Sequence, residues 1–468
     1  MGRRKIILKG IEIVTYAAEG NCIGKHNDLV VFVKGVVPGD VVDVLVIKKK
    51  KQYLEARPVR FLKYSEDRVQ PFCEHFGLCG GCKWQYLPYE LQLKYKQQQV
   101  KDNLERIGKI NLPEIDPIIG SEKTTFYRNK MEYTFTNSRW LLEEEVQSGE
   151  EFDRRGVGFH IPEQFDKIVD IKTCHLQIEF SNDVRNYLRQ FGISNGLTFY
   201  ELKEFKGLLR NLMVRNTSLG EIMVMVQFGE NNPEKINLCM DSLQRNFPEI
   251  TSLYYCINLK KNDSFFDQDI ILHAGKKFIT EKLGDLHFNI SPKSFFQTNT
   301  SQAEMLYKKV LEYAALTGNE TVYDLYTGTG TIANFLAPFA KLVVGIDTIG
   351  QAIDDAKINS EINNIENSIF LEGDAKDLFN DDLFNKYGRP EVLITDPPRA
   401  GMHQNVVNII LKTEPSSIVY VSCNPATQAR DLSLLDVKYE VKNVQPVDMF
   451  PHTHHVENIV LLKLRNTL

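Results

Sequence analysis

The sequence predicts an α/β chain with a doubly wound parallel sheet in its last part, a small closed β-barrel at its start and an α+β region between. Three observations carry this. From about residue 286, apolar strand-like runs end in polar or Gly-rich turns and alternate with helical stretches, the pattern of a doubly wound sheet. Residues 1–62 hold only short β-rich runs broken by Gly, Pro and Asn/Asp turns. A chain of 468 residues is also too long for one core, so two or three domains are expected.

The barrel comes first. "IEIVTYA", "LVVFVKG" and "DVVDVLVIKKK" read as strands, and closure into a barrel is the economical arrangement for so many short ones. In "IKKKKQYLEARPVR", Lys48 to Lys51, Arg57 and Arg60 face a single acid, Glu55. Charge alone favours a solvated hairpin; with Tyr53 among the charges, an RNA-backbone surface is the alternative. The central region, residues 63–285, opens on "CEHFGLCGGC". A helical run, "YELQLKYKQQQVKDNLERIG", follows, with Gly108 as its stop. "LRNLMVRNTSLGEIMVMVQF" reads as a hairpin around Gly220. Residues 286–468 form the doubly wound domain, with strands in "TVYDLY", "KLVVGID", "SIFLEGD", "EVLITDPPR" and "SSIVYVSCNP".

Bulk properties exclude little. Hydrophobic content of 43% and charged content of 25% are ordinary for a globular protein. No apolar run is long enough to span a bilayer, and no membrane partner is expected. "MGRRKIILKG" lacks the apolar core of a signal peptide, so a cytoplasmic protein is expected; a monomer is assumed, since the sequence does not report oligomeric state. A net charge of -5 does not favour nucleic acid, although a binding face needs only a local patch.

The chain has eight cysteines, and three of them, Cys73, Cys79 and Cys82, fall within ten residues. Such clustering in a reducing compartment argues for ligation over disulfides. A fourth thiol is needed. Cys22 lies in a barrel turn, while Cys239 and Cys256 sit in helix-like and strand-like runs where a small apolar side chain is the default. Cys174, in "DIKTCHLQ", has a loop-like setting in the same central region. By ligand count alone, four thiolates suit a [4Fe-4S] cluster and a structural zinc equally.

In the last domain, "DLYTGTGTIA" places Gly328 and Gly330 between a strand and a helix. This fits a dinucleotide or a nucleoside-type cofactor, and Asp347, at the end of the next strand, is placed to take a ribose in both. Asp324 separates the two, because an acid just before the glycines suits a ligand with a cationic head, such as the amino group of S-adenosylmethionine. Asp374 ends the third strand, where it faces an adenine or caps a helix. Pro397 and Pro398 stiffen the turn that carries Asp396. Cys423 stands at a strand-end turn beside Ser422 and Asn424, a polar setting that suits a nucleophile better than a buried hydrophobe. Glu457 precedes an apolar final strand, where burial would raise its pKa toward that of a general base. His452, His454 and His455 have no Cys or carboxylate partner at metal-ligand spacing.

With these residues assembled, the chain resembles the RNA uracil-C5 methyltransferase family, in its iron–sulfur branch acting on 23S ribosomal RNA. Residues 1–62 resemble its TRAM domain, and "CEHFGLCGGC" its cluster motif. "SPKSFFQTNT", "DLYTGTGT", "TDPPR", "VSCNP" and "HTHHVEN" match its catalytic motifs in order. The resemblance implies a Rossmann-like class I methyltransferase domain that uses S-adenosylmethionine on RNA, with 23S ribosomal RNA favoured and transfer RNA the alternative. It implies Cys423 as nucleophile and Glu457 as base. It implies Gln297, Tyr326, Thr331, Asp347, Asp374 and Asp396 around the cofactor, with Asp396 also near the target base. It also tips Cys73, Cys79, Cys82 and Cys174 toward a [4Fe-4S] cluster, expected to be a closed scaffold in a different domain from Cys423. Three positions depart from the family: Thr327 stands where Cys is common, Asp347 where Glu is common and Thr331 where Asn is common. Two other classes compete: a non-catalytic RNA-binding protein, against which Cys423 and Glu457 argue, and an NAD-dependent oxidoreductase, against which Asp324 argues.

Overall fold

A computed structural model describes residues 6–162 and 164–465. The charged first five residues of "MGRRKIILKG", part of the stretch weighed as an export signal, lie outside the described residues. The strands Ile7–Tyr16, Cys22–His26, Leu29–Val33, Val41–Lys49 and Tyr53–Lys63 close into a barrel. Alternation along them turns Ile11, Ile13, Val31, Val33, Val42, Val44, Leu54 and Ala56 inward. Cys22 is buried with them, and its thiol donates to the Val36 carbonyl at 3.0 Å. Lys48 to Lys51, Arg57 and Arg60 are exposed on the hairpin formed by the last two strands. Lys48 pairs with Glu55 at 3.0 Å.

The central sheet has seven strands, in the order Ile270–Gly275, Ser252–Ile257, Ile222–Phe228, Leu209–Asn216, Lys130–Thr136, Gly156–Ile161 and Gln164–Asp170. The hairpin at Gly220 is present: Ile222 pairs with Asn216, and Gly220 takes a φ of 81°. Helices Glu179–Ser194 and Pro233–Asn246 bury Val184, Leu188, Ile236, Met240 and Leu243 in the core beneath it.

The last sheet runs Ser368–Glu372, Leu342–Asp347, Thr321–Leu325, Val392–Thr395, Ser417–Ser422, Glu457–Leu464 and Tyr439–Val447. The first five of these are parallel, Glu457–Leu464 runs antiparallel to them, and Tyr439–Val447 pairs antiparallel with Glu457–Leu464. All five strands expected from sequence are present. The strand Tyr439–Val447 was not foreseen.

Domain order along the chain is not order in space. The boundary expected at residues 285 and 286 falls in the turn between the paired strands Ile279–Leu283 and Leu286–Ile290. The helix Tyr89–Asn103, expected in the central region, packs on the last sheet, with Val100 and Leu104 in that core. It widens into a π turn over Leu104–Gly108 and stops at Lys109, which takes a φ of 52°. Gly108 serves close approach instead, since a Cβ there would lie 3.3 Å from the Ala429 carbonyl.

This helix also carries Lys96, whose ammonium is buried against Asp448 at 2.6 Å and the Phe450 carbonyl at 3.0 Å. Removing one partner strands a charge that has no water to receive it. Lys96→Met should therefore cost about 3–5 kcal/mol of stability. Urea unfolding checks this, and a loss under about 1 kcal/mol would show the pair to be dispensable.

Candidate active site

The strand order reverses between Thr321–Leu325 and Val392–Thr395, and in doubly wound sheets the ligand crevice lies outside the carboxyl ends at such a switch point. The turn after Thr321–Leu325 lines one side. Tyr326 takes a φ of 67°, and its N–H and that of Thr327 both donate to the Ile346 carbonyl. The Thr327 hydroxyl donates to Asp324 Oδ2 at 2.6 Å, so the hydroxyl standing in for the family's common Cys braces the acid. Asp324 Oδ1 is buried with no hydrogen-bond partner among the described residues. Burial, opposed by the Thr327 bond and reinforced by Asp396 and Asp347, pushes the Asp324 pKa up to about 7. A Cβ at Gly328 would meet nothing within 4 Å, whereas one at Gly330 would strike Ala356 at 2.8 Å. Gly330 thus lets the helix Thr331–Leu336 pack closely, and Gly328 borders open space. An orphaned acid beside an open turn fits a ligand with a cationic head.

Asp347 ends its strand as expected. Its oxygens accept from the Gly328 N–H at 2.9 Å and the Ile349 N–H at 3.0 Å, so it shapes the turn. Each oxygen keeps a further lone pair for a hydroxyl. Asp374 caps the helix Ala375–Leu378, accepting from the Lys376 N–H at 3.0 Å and its ammonium at 2.6 Å. Burial, then Asp374, raises the Tyr326 pKa to about 12. The Thr331 hydroxyl meets the buried Tyr307 hydroxyl at 3.2 Å. Gln297 is half-buried in the loop before helix Thr300–Ala314, and its carbonyl accepts from Asn129 Nδ2 at 2.9 Å.

The reacting side is built by strand register. Ser422 pairs with Asn458 across antiparallel strands, so Cys423 and Glu457 stand opposite each other at the sheet end. Asp396 follows the next strand over, Val392–Thr395. The Arg399 carbonyl accepts from Asn424 Nδ2 at 3.0 Å and Thr427 Oγ1 at 3.1 Å, which ties the Pro397–Pro398 turn to the Cys423 turn. Its guanidinium lies 2.7 Å from His455 Nδ1.

These groups perturb one another. Burial, then Asp396, raises Glu457 to about 8, while Arg399 opposes the rise. Burial also lifts Asp396 to about 7. Cys423 is pushed up to about 11 by burial, then by Glu457 and Asp396, with Arg399 pulling it down. Burial and these two acids therefore favour the thiol over the thiolate, with Arg399 as the opposing cation. Tyr307, raised by burial and by Asp396, Asp324 and Glu457, lies beside all three acids. Neither Tyr307 nor Arg399 was singled out from sequence; Arg399 lay in plain view within "TDPPR".

Burial favours the neutral form of the three histidines before Glu457. His452 accepts at its carbonyl from the Lys83 and Trp84 N–H groups at 2.9 and 3.0 Å, and its own N–H donates to Gln92 Oε1 at 2.8 Å. Burial lowers His452 to about 4, His454 to about 3 and His455 to about 4.

Cys73, Cys79, Cys82 and Cys174 line one cavity of about 350 Å³. Its wall also includes Thr298, next to Gln297, and Thr453, in the loop leading to Glu457. The cavity thus adjoins the catalytic sheet's loops and is not confined to the central region. Among the described residues, no group of three or more His, Cys, Asp or Glu converges to hold a single metal ion. The four thiols share a cavity wall without the convergence that a single metal ion requires.

A family model described as tRNA (uracil-5-)-methyltransferase matches residues 260–465, and a TRAM domain model matches residues 11–59. An uncharacterized RNA methyltransferase of Bacteroides thetaiotaomicron is 56% identical, over 96% of this chain and 100% of its own. Another from Chlorobaculum tepidum is 40% identical, over 96% of this chain and 95% of its own. The crystal structure of Pyrococcus abyssi tRNA (uracil-54, C5)-methyltransferase in complex with S-adenosyl-L-homocysteine matches with a TM-score of 0.75 and 30% identity, covering 97% of this chain and 100% of that one. Among the described residues, no helix is long and apolar enough to cross a membrane. Together with the acid-lined crevice at the switch point, these likenesses place the chain in the RNA uracil-C5 methyltransferase family, with a TRAM barrel and a class I methyltransferase fold.

Proposed function

We propose that this chain methylates C5 of a uridine in 23S ribosomal RNA through a covalent adduct between Cys423 and C6 of the base. The observation that carries the mechanism is the register that sets Cys423 opposite Glu457. Uracil C5 is a poor nucleophile. Adding sulfur to C6 makes an enolate whose C5 is reactive, which splits one hard step into two. S-adenosylmethionine, when bound, supplies the methyl group. Asp324 and the open Gly328 turn would hold its cationic amino acid end, Asp347 its ribose, and Gln297, Tyr326, Thr331 and Asp374 the rest of the pocket.

Cys423 is a thiol at rest, so its proton passes to solvent as the sulfur adds to C6, which leaves Glu457 free for the later step. Arg399, the cation that opposes the rise in its pKa, favours the charged form. Asp396, kept protonated to about pH 7, is placed to donate a hydrogen bond to the ring's developing oxyanion. The methylated adduct carries a hydrogen at C5. Glu457 as carboxylate takes it, the C5–C6 double bond re-forms and the Cys423–C6 bond breaks. The edge of a stacked base cannot enter such a crevice, so the uridine must be flipped out.

Glu457 is a base only when ionised, so single-turnover release of free methylated RNA from the adduct should rise about tenfold per pH unit toward a plateau above pH 8. Stability moves the other way. The folded pKa is raised above the ordinary 4.5, so this group's stabilising contribution is complete below pH 4.5 and lost as pH rises through about 8. A rate that stays flat between about pH 6 and 8 would remove Glu457 as base.

The four cysteines are proposed to hold a [4Fe-4S] cluster that shapes the wall behind the Gln297 and Glu457 loops. Protein purified without oxygen should be brown and hold about four irons per chain, and Cys79→Ser should lose both. Colourless, iron-free wild type would remove the cluster.

A second substrate, the T-loop uridine of transfer RNA, is favoured by the likeness to the Pyrococcus abyssi enzyme. Mass-spectrometric mapping of 5-methyluridine in a deletion strain and its parent decides between them. Loss from 23S ribosomal RNA supports the proposal, loss from transfer RNA supports the second reading, and unchanged 5-methyluridine in both RNAs overturns both.

A further inference from the structure

Two phenylalanines outside the catalytic constellation are exposed where burial would be expected. Phe72 is 45% exposed and Phe126 is 40% exposed. They come from separate segments, yet both pack on His175, with ring centroids 5.4 and 6.2 Å away. Phe72 also meets the His452 ring edge to face at 5.0 Å, at the base of the loop that leads to Glu457.

Phe126 has a second peculiarity. Its backbone takes a φ of 53°, a left-handed conformation costly for a bulky residue, and its N–H is pinned to the His175 carbonyl at 2.8 Å. Strain of this kind persists only where the surroundings enforce it, and it gathers at functional sites. A glycine or asparagine would hold that backbone at less cost, so neither the fold nor the turn explains an aromatic ring standing in water.

The surroundings are cationic. Arg128 follows two residues after Phe126 and lies over the Phe450 ring at 5.6 Å. His455 is pushed toward its neutral form by burial first, then by Arg399, Lys96, Lys83 and Arg128. Lys123 and Lys172 are exposed on the flanking turns, and Lys172 offsets Glu74 at 3.9 Å. The barrel closes the same corner, since the Glu19 carbonyl accepts from Lys83 and a Cβ at Gly20 would touch His454 at 3.3 Å.

We propose that Phe72, Phe126 and His175 form a stacking platform for an unpaired RNA base flanking the methylated uridine. The proposal rests on the reading of this crevice as the site of uridine methylation. Extracting one nucleotide unstacks its neighbours, and an exposed aromatic face recovers that stacking whatever the neighbour's identity. The cations beside it suit the phosphates on either side. Aromatic faces with cations beside them suit a base and its phosphates, whereas an apolar protein surface would match only the rings.

Phe126 is the cleaner position to test, because Phe72 adjoins Cys73. Full-length wild type, Phe126→Ala, Phe126→Leu and Phe126→Trp are titrated with a single-stranded uridine-containing RNA of about ten nucleotides that carries 2-aminopurine beside the uridine. Stacking predicts strong fluorescence quenching with wild type and Trp. With Ala and Leu, it predicts weak quenching and about fivefold or greater loss of affinity. Phe72→Ala should repeat the Ala result. Equal quenching and affinity in all variants overturns the platform. So does Leu performing as well as Trp, which would mark an apolar packing or protein-docking role.

The same preparations are assayed for 5-methyluridine. A wild type that quenches but never methylates overturns the proposed function and leaves the platform standing. Normal methylation with no difference in quenching overturns the platform alone.

Discussion

Cys423→Ala should lower 5-methyluridine formation by about 10⁴-fold or more, while S-adenosylmethionine affinity stays within about twofold. The loss is large because no other thiol shares the site. Cys22, Cys239 and Cys256 are buried in hydrophobic cores, and the remaining four line the cysteine cavity. Affinity is spared because the bonds that shape the Gly328 turn run through Asp324, Thr327 and Asp347. Transfer of a labelled methyl group measures the first quantity and calorimetric titration the second. Turnover within tenfold of wild type would sink the nucleophile assignment.

Glu457→Gln should trap the enzyme on its RNA. Addition and methyl transfer do not require the base, whereas release does, so the adduct accumulates with the methyl group already in place. Glu457 is raised to about 8, so it is mostly protonated at neutral pH and glutamine removes no charge from the buried site. The variant should therefore fold normally. Denaturing electrophoresis would show a protein–RNA band that survives heat and detergent. Free RNA with wild-type turnover would remove the base role.

Much of this was legible because strands and turns write themselves locally. "TVYDLY" to "SSIVYVSCNP" gave the parallel sheet, since each apolar run ends in residues that only a strand-end turn tolerates. Asp324, Asp396, Cys423 and Glu457 followed, because each sits at such an end. What was illegible depends on distant partners. Tyr439–Val447 hides its strand character behind Lys442 and Pro446, and it is held by pairing with Glu457–Leu464. Asp374 reads equally as cap or ligand until Lys376 is seen to engage it. The helix Tyr89–Asn103 carries no sign that Lys96 awaits Asp448. Phe72 and Phe126 look like ordinary core residues, and only their exposure singles them out.

The stitching of Gln92, Lys96 and Trp84 to the loop around His452 spans about 350 residues of chain. A ribosome makes the chain from its amino end, and domains fold in that order. The barrel and the "CEHFGLCGGC" segment are therefore complete while the residues that will satisfy Lys96 and Gln92 have yet to be synthesised. Glu457 and Cys423 emerge among the last. During synthesis this protein passes through a stage that holds its basic barrel without its chemistry, and the act of docking residues 448–457 onto a waiting helix is what finishes the enzyme.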